Sequence, residues 1–190
     1  MKLLRLAGFA LALAFTALIS GCSDSGEDAA VARPNPVHFD SGDECHVCGM
    51  AITRFPGPKG EAITARDEQV LKFCSTRDMF SWLLQPENVN RDHTLYVHDM
   101  AETEWEKPAD TTLIDAREAF YVVGSERTGA MGPTLASFAE ASAAEVFAAE
   151  FGGQVVSFSD ITLDHLGSHH DHDHDHDHDH GHDHGHGVTH

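Results

Sequence analysis

The apolar run near the start of the chain most constrains how this protein can fold, because it decides where the protein folds. Lys2 and Arg5 give a short positive start, and residues 6–19 are almost wholly apolar. This pattern is typical of a secretory signal peptide and is too short to span a bilayer by itself. We therefore predict that residues 1–21 are removed on export and that the remainder folds in an oxidising compartment.

Cys22 follows two small residues, Ser20 and Gly21, and this ending resembles the lipobox of bacterial lipoproteins. In those proteins the signal is cut before the cysteine and lipid is attached to its thiol. The alternative is an ordinary signal peptide followed by an incidental cysteine. Ser23, in place of Asp, favours onward export to the outer membrane. Residues 22–40 are small and polar with two prolines, which predicts a lipidated flexible tether.

The charge of the mature chain excludes one class of partner. Removing residues 1–21 leaves 169 residues and takes away two positive charges and no negative ones, so the net charge changes from −19 to −21. A chain this acidic repels nucleic acid and anionic lipid headgroups. We expect no nucleic-acid partner, and we expect membrane contact only through the lipid.

Three cysteines remain once Cys22 is lipidated: Cys45, Cys48 and Cys74. An odd number in an oxidising compartment leaves at least one thiol unpaired, and a bound metal would protect it. The alternative is a Cys45–Cys48 disulfide, with Cys74 buried as a small hydrophobic residue at the end of a strand.

The residue pattern predicts an α+β protein of two related small lobes, each roughly strand–strand–helix–strand with mainly antiparallel pairing. The first lobe spans 41–91 and the second 92–166. Short strands are predicted at 49–53, 61–65, 70–74, 94–98, 112–114, 119–123 and 155–158.

Two helices are predicted from capping boxes, in which a Ser is followed three residues later by an acidic residue. The first begins at Ser75–Asp78 and ends before Pro86, and the second begins at Ser142–Glu145 and ends at Gly152. No phosphate loop, nucleophile elbow or zinc-binding His-Glu helix occurs in the sequence, so we predict a protein that is not an enzyme.

Cys45, Cys48 and Met50 form the first metal-ligand candidate, within six residues on a predicted turn. A Cys-x-x-Cys pair can bind Zn²⁺ or Cu(I), or cycle as a redox dithiol. A thioether binds zinc poorly but suits soft Cu(I), so Met50 favours copper. Met50 as a core residue and His46 as a surface residue are the alternatives.

Met131 is the second candidate, since it stands between glycines and before Pro133 on a predicted loop. A methionine in that position presents its thioether outward or into a cleft. Met100, at the end of a predicted strand, is a similar but weaker candidate.

These segments together resemble the NosL family of copper-binding lipoproteins, which help to mature nitrous oxide reductase. The matching segments are CGM at 48–50, FPGPKG at 55–60, FCSTRDMFSWL at 73–83, YVHDM at 96–100, AFYVVGSERTGAMGP at 119–133 and the end of the second lobe. The resemblance implies a periplasmic Cu(I) chaperone. It also implies a periplasmic β-helical partner joined to an ABC transporter, and through that partner the copper sites of the reductase.

By position, the family's sulfur pattern falls on Cys48, Met50 and Met131. Cys45 departs from that pattern. The ligand set is therefore either Cys48, Met50 and Met131, or Cys45 and Cys48 with a methionine. Phe55 stands where a histidine is expected in some relatives.

The C-terminal segment from residue 167 onward is predicted to bind metal and to be disordered without it, since it lacks the apolar residues of a core. Residues 169–190 contain 11 His and six Asp, an alternation unlike the uninterrupted run of a cloning tag. Imidazoles with carboxylates suit Zn²⁺, Ni²⁺ or Cu²⁺ without much selectivity. The predicted tail ligands are His169, His170, His172, His174, His176, His178, His180, His182, His184 and His186.

Two other functions fit parts of the sequence. One is a thiol enzyme: Cys45 and Cys48 could reduce disulfides, or Cys48 and Cys74 could cleave a metal–carbon bond, since organomercurial lyases are thought to share a similar fold. The other is a lipoprotein that buffers zinc or nickel through its tail. Neither explains why Met50 and Met131 accompany the thiols, so a Cu(I) carrier is the leading interpretation.

Overall fold

The structure is a computed structural model that describes residues 33–167. The predicted signal peptide, the lipidation site Cys22 and the histidine-rich tail lie outside these residues. Within the described part of the chain, no helix is long and apolar enough to cross a membrane.

The larger sheet has four antiparallel strands: β1 (Gly60–Thr64), β2 (Val70–Phe73), β3 (His93–His98) and β4 (Leu113–Asp115). Their order in the sheet is β2-β1-β3-β4. β1 is central, and its Glu61 lies opposite Lys72 of β2 and Tyr96 of β3. The strands predicted at 61–65, 70–74, 94–98 and 112–114 are therefore confirmed within one or two residues at each end.

Helix α1 (Thr76–Leu83) follows β2 directly and packs on this sheet. Ser75 is its N-cap: its hydroxyl accepts a hydrogen bond from the backbone N–H of Asp78 at 3.1 Å, as the predicted capping box requires. The helix lies very close to β1, since a Cβ on Gly60 would come within 2.7 Å of the Met79 Cβ. Because Gly60 has no side chain, α1 can pack this close to the sheet.

The smaller sheet has three antiparallel strands, β5 (Phe120–Val123), β8 (Ala136–Phe138) and β9 (Gln154–Ser157), in the order β8-β5-β9. Between β5 and β8 lies a short hairpin of β6 (Thr128–Gly129) and β7 (Gly132–Pro133). Helix α2 (Ala141–Phe151) packs on this sheet and ends at Gly152, which has a φ of +74°. The two helices and the antiparallel pairing confirm the predicted α+β class.

Two local predictions are wrong. Residues 49–53 do not form a strand: Ala51 makes a single bridge with Glu44, and Ile52–Arg54 is a turn of 3-10 helix. The turn before it, which includes Gly49 at a φ of +70°, leaves too few extended residues for a ladder. The predicted capping box at Ser142–Glu145 is absent: the second helix begins one residue earlier, at Ala141, where two backbone N–H groups donate to the Glu140 carbonyl and no side chain caps the helix.

The larger of two hydrophobic clusters joins the two sheets. It includes buried residues of both: Phe73 of β2, Val97 of β3, Tyr121 of β5 and Val156 of β9. Strands predicted for the second lobe, at 94–98 and 112–114, belong to the larger sheet, because β3 pairs with β1 from His93 to Val97 and β4 pairs with β3. That sheet therefore extends past the predicted lobe boundary at 91/92.

Residues 34–40, the end of the predicted tether, lie against the larger sheet. The Val37 N–H donates to both carboxylate oxygens of Glu61 (3.0 and 3.2 Å), and the Phe39 N–H donates to Asp110 at 2.8 Å. The Phe39 ring stacks on the buried His98 ring with centroids 5.7 Å apart. This part of the predicted tether is held by the fold, because its backbone donors find acceptors in buried Glu61 of the sheet and in partly buried Asp110 just before β4.

Candidate metal centre

Four side chains converge where the loop after residue 44 meets the junction of β2 and α1. The sulfurs of Cys45, Cys48 and Cys74 and a carboxylate oxygen of Asp78 all lie within 4.8 Å of one another. Cys45, Cys74 and Asp78 are buried, and Cys48 is half-buried. Among the described residues this is the one group of three or more His, Cys, Asp or Glu side chains close enough to share an ion. We call it the cysteine cluster.

Two local structures place these side chains. A tight turn brings Cys45 and Cys48 to one side: the Gly49 N–H donates to the Cys45 carbonyl at 2.8 Å, and the Cys45 N–H donates to the Met50 carbonyl at 2.9 Å. Cys74 immediately follows β2, and Asp78 lies four residues later in the first turn of α1. Only Ser75 separates Cys74 from α1, and the cap at Ser75 fixes the start of the helix so that Asp78 accepts the Cys74 thiol hydrogen bond.

The three thiols are free and hydrogen-bonded to one another or to Asp78. The Cys74 thiol donates to the Asp78 carboxylate at 3.0 Å, and the Cys48 and Cys74 sulfurs are 3.5 Å apart. The Cys45 sulfur is also 3.5 Å from the Asp78 carboxylate. In the structure Cys45 and Cys48 form no disulfide. Cys74 is buried, but its thiol is hydrogen-bonded within the cluster, so it does not serve only as a small hydrophobic residue.

The thiols differ in how readily they ionise. The side-chain interaction with Cys74 outweighs burial and lowers the pKa of Cys45 to about 5. The same contact, together with burial and the neighbouring Asp78 carboxylate, raises the pKa of Cys74 far above its usual range. Burial raises the pKa of Cys48. Cys45 is therefore the thiol of the cluster that ionises most readily.

A bound cation would remove an electrostatic conflict in this cluster. The 3.5 Å contact between Cys45 and Asp78 is a hydrogen bond only while the thiol keeps its proton. Once Cys45 ionises, two anions face each other in a buried site, which is costly. Three sulfurs and one oxygen suit a soft or borderline ion such as Cu(I) or Zn²⁺.

The methionine candidates lie in three different settings. Met131 is at the tip of the β6–β7 hairpin, half exposed (50%), and its carbonyl accepts a hydrogen bond of 3.3 Å from Arg77 of α1. Met50 is half-buried beside the cysteine turn. Met100 is buried in a second apolar cluster, with Val122 and other residues of the smaller sheet and α2. The hairpin tip is thus tied to the residue next to Asp78, whereas Met100 packs as a core residue.

The structure adds Cys74 and Asp78 to the predicted residues Cys45 and Cys48. Both were detectable, because the predicted capping box puts Asp78 three residues after Ser75, and Cys74 immediately precedes that cap. A strand that ends at Cys74 and a helix that begins after Ser75 already place the two side chains together. The turn at 45–48 packs against this strand–helix junction, and such a tertiary contact cannot be predicted from the local sequence. One of its bonds runs from the His46 N–H to the Lys72 carbonyl at 2.8 Å.

Comparison with known proteins gives a consistent result. The sequence model of the NosL family matches residues 36–166. The copper-binding lipoprotein NosL of Stutzerimonas stutzeri is 49% identical over 176 residues, covering 87% of this chain and 90% of that protein. The protein of the same name from Achromobacter cycloclastes is 34% identical over 157 residues, covering 81% and 79%. The crystal structure of the copper chaperone NosL from Shewanella denitrificans matches with a TM-score of 0.69 at 50% identity, covering 70% of this chain and 99% of that one.

Proposed function

This chain belongs to the NosL family, and from that membership we propose that it is a lipid-anchored copper chaperone, not an enzyme, that binds Cu(I) and passes it to a partner. The observation that carries the proposal is the cysteine cluster, in which three free thiols and a carboxylate converge within 4.8 Å. Sulfur donors at this density favour a soft ion. The names of the relatives, copper-binding lipoprotein and copper chaperone, support copper as the ion and lipid as the anchor.

The ligands we propose are Cys48 and Cys45 with a methionine, either Met50 or Met131, while Cys74 and Asp78 support them. Cys48 is the thiol of the cluster with the greatest exposure, and Met131 is half exposed at a hairpin tip. Cys74 and Asp78 are buried behind them and hydrogen-bonded to each other. Residues that do not bind the ion but contact its ligands, as we propose for Cys74 and Asp78, orient those ligands and adjust their charge.

The exposure of these donors suits metal transfer. A carrier must let the sulfur of a partner bind the ion before its own bonds break, which requires an open side to the site. Cys48 and Met131 provide that side, and a thioether bond is weak enough to be replaced. In each exchange a copper–sulfur bond to the partner forms, one to the chaperone breaks, and the copper stays Cu(I).

We propose that the protein works on the periplasmic side of a bacterial membrane, with the outer membrane favoured. Its acceptor would be a periplasmic β-helical protein joined to an ABC transporter, and through it nitrous oxide reductase. The predicted lipobox at Cys22 and the family membership support this assignment. In a strain that lacks the chaperone, the reductase should accumulate without copper, as measured by its metal content after anaerobic purification. A fully loaded reductase would contradict this destination but leave copper binding intact.

The binding site is tested by Cu(I) titration of residues 23–190 against a chromophoric competitor, with the tail histidines changed to Asn so that they do not compete. We expect one Cu(I) per chain. Cys48→Ala should weaken binding by more than about 100-fold, because even a group that only supports a ligand accounts for about 10–100-fold. Met131→Leu should weaken it by roughly 10-fold, the lower end of that range.

Met100→Leu is the matched control, since Met100 is buried in the second apolar cluster. It should leave the Cu(I) affinity within about twofold, because the exchange of Met for Leu conserves volume in a core. Unchanged affinity in both Cys48→Ala and Met131→Leu would leave the proposal without a site. An equal loss in Met100→Leu would show that the methionine effects report on folding.

A further inference from the structure

We propose that Thr76 and Arg77, the first two residues of α1, are positioning residues that hold the β6–β7 hairpin, with Met131 at its tip, at the copper site. The inference rests on the proposed function and takes Met131 as the thioether ligand. Asp78, the third residue of the helix, belongs to the cysteine cluster. The first turn of α1 therefore contacts the cluster and the hairpin at once.

The hairpin has little structure of its own to fix Met131. Two residue pairs join its strands, Thr128 with Pro133 and Gly129 with Gly132. An isolated pair of strands is marginally stable at best, even when the strands are of ordinary length. Its two glycines add backbone freedom, and Gly132 has a φ of +92°. The position of Met131 therefore depends on contacts from outside the hairpin.

The base of the hairpin is held on both sides. On the β6 side, the Trp105 indole N–H donates to the Thr128 carbonyl at 3.1 Å. On the β7 side, the Thr76 hydroxyl donates to the Leu135 carbonyl at 2.6 Å and lies 3.0 Å from the Thr134 hydroxyl. Because a hydroxyl has one proton to donate, Thr134 is the donor to Thr76. Thr76, Thr134 and Leu135 are all buried, so loss of the Thr76 hydroxyl would leave buried polar atoms without partners.

The tip of the hairpin is held by Arg77. Its guanidinium donates to the Met131 carbonyl at 3.3 Å, and no other hydrogen bond reaches Met131 from outside the hairpin within the described part of the chain. A cavity of about 690 Å³ lies beside this contact, lined by Arg77, Pro133 and Asp164 among others. Among the described residues no ion pair joins Arg77 to Asp164. The tip is thus held by a hydrogen bond next to open space, not by close packing.

This arrangement prepares the thioether for copper before the ion arrives. Asp78 accepts the hydrogen bond of the Cys74 thiol, and the residue before it holds the carbonyl of Met131. Because one helix turn makes both contacts, it sets the spacing between the thiols and the thioether. The conformational entropy of ordering the hairpin is then lost during folding and not during copper binding, which raises the affinity.

The test is a double-mutant cycle between Arg77→Ala and Met131→Leu in the Cu(I) titration described above. Arg77→Ala alone should weaken Cu(I) binding by about three- to tenfold, the value of one hydrogen bond. In the Met131→Leu background the same substitution should change the affinity by less than about twofold, because no thioether is left to position. The cycle cancels the effects of the lost positive charge and of any disturbance to Asp78, since both backgrounds share them.

Conservative variants separate positioning from a general loss of structure. Arg77→Lys keeps the charge and a donor and should recover most of the affinity. Arg66→Ala removes an exposed arginine from the turn between β1 and β2, and should bind Cu(I) like the parent. Thr76→Val removes the buried hydroxyl and should weaken binding, whereas Thr76→Ser keeps the hydroxyl and should not. Urea denaturation of each variant identifies any loss of affinity that comes from unfolding.

The outcomes distinguish this inference from the proposed function. Equal losses for Arg77→Ala in the two backgrounds, or no loss at all, would overturn the positioning role and leave copper binding by Met131 in place. If Met131→Leu alone binds Cu(I) like the parent, Met131 is not the ligand, and the inference fails together with that part of the proposed function.

Discussion

The two helices of this protein start in the same structural setting but differ in chemistry. Each follows a strand of its own sheet and packs back on that sheet. Helix α1 begins with a serine cap, a cysteine before it and an aspartate at its third position. Helix α2 begins without a side-chain cap, and its third position is Ala143. The same strand–helix junction thus contributes to the candidate metal site in one sheet and is an ordinary packing contact in the other.

Buried ionisable groups follow the same division. The larger sheet and its loops bury Glu61, Lys59 and His98, whereas the buried polar side chains of the smaller sheet and its hairpin are hydroxyls such as Ser137 and Thr134. Burying a charged side chain lowers the free energy of unfolding unless the charge is paired. This destabilisation therefore applies to the larger sheet and not to the smaller one. The buried ionisable side chains and the cysteine cluster thus belong to the larger sheet and its loops, whereas the smaller sheet contributes apolar packing and carries the hairpin with Met131. Three substitutions test it.

The largest effect should come from Glu61→Gln. Burial raises the pKa of Glu61 to about 7 from its ordinary 4.5, against the opposing effects of the Val37 N–H and of Lys72. The folded state therefore binds this proton more tightly than the unfolded state. Its stabilising contribution is complete below pH 4.5 and is lost as pH rises to about 7. At pH 8 the Gln variant should be more stable by about 3 kcal/mol, with no difference near pH 4.

Urea denaturation of Glu61→Gln and its parent across this pH range measures the effect. Asp110 and Asp43 also raise the pKa of Glu61. Subtracting the free energy of unfolding of the parent from that of the variant at each pH cancels the contributions of other titrating groups that the two proteins share. Glu126→Gln is the control, because Glu126 is an exposed carboxylate that follows β5 in the smaller sheet. Its profile should coincide with that of the parent. A pH-independent difference for Glu61→Gln would show that this carboxyl is not the source.

Asp78→Asn should have the next largest effect, on copper rather than on folding. Asn keeps an oxygen that can accept the Cys74 thiol hydrogen bond but removes the negative charge beside the ion. We expect Cu(I) affinity to fall by about 10–100-fold, which corresponds to about 1.4–2.7 kcal/mol. Competition titration measures it, with Glu145→Gln on the exposed face of α2 as the control. If both variants bind copper with the affinity of the parent, α1 contributes no more to copper binding than α2 does.

The smallest effect should distinguish the two helix starts directly. Ser75→Ala removes the hydroxyl that accepts from the Asp78 N–H, and should destabilise the fold by about 1 kcal/mol. Ser142→Ala, in the first turn of α2, should stay within about 0.5 kcal/mol, because that serine is exposed and caps nothing. Thermal or urea denaturation measures both. Equal losses would show that the two helix starts are equivalent.

Sequence alone predicted the elements that have local signals. Helix α1 has a serine cap and β2 alternates, so both were found, and the family pattern was recognised from segments such as 119–133. The strand at 136–138 was missed, since three residues are too few to show a period. Two of the four residues of the cysteine cluster were predicted, because Cys45 and Cys48 stand in a recognisable motif. They meet Cys74 because the turn at 45–48 lies against the end of β2, and this tertiary contact has no local sequence pattern. The roles of Met50, Met131 and the tail stay predictions.

The strap formed by residues 34–40 has a mechanical consequence. Four elements hold it at once: Tyr96 of β3 donates to the Pro34 carbonyl at 2.5 Å, Glu61 of β1 accepts from Val37, Lys72 of β2 donates to the His38 carbonyl at 2.6 Å, and Asp110, just before β4, accepts from Phe39. A pull along the chain at Pro34 would load these bonds in parallel, so the strap must shear rather than unzip one bond at a time. The force is then borne by the larger sheet, including β2, the strand that ends just before Cys74.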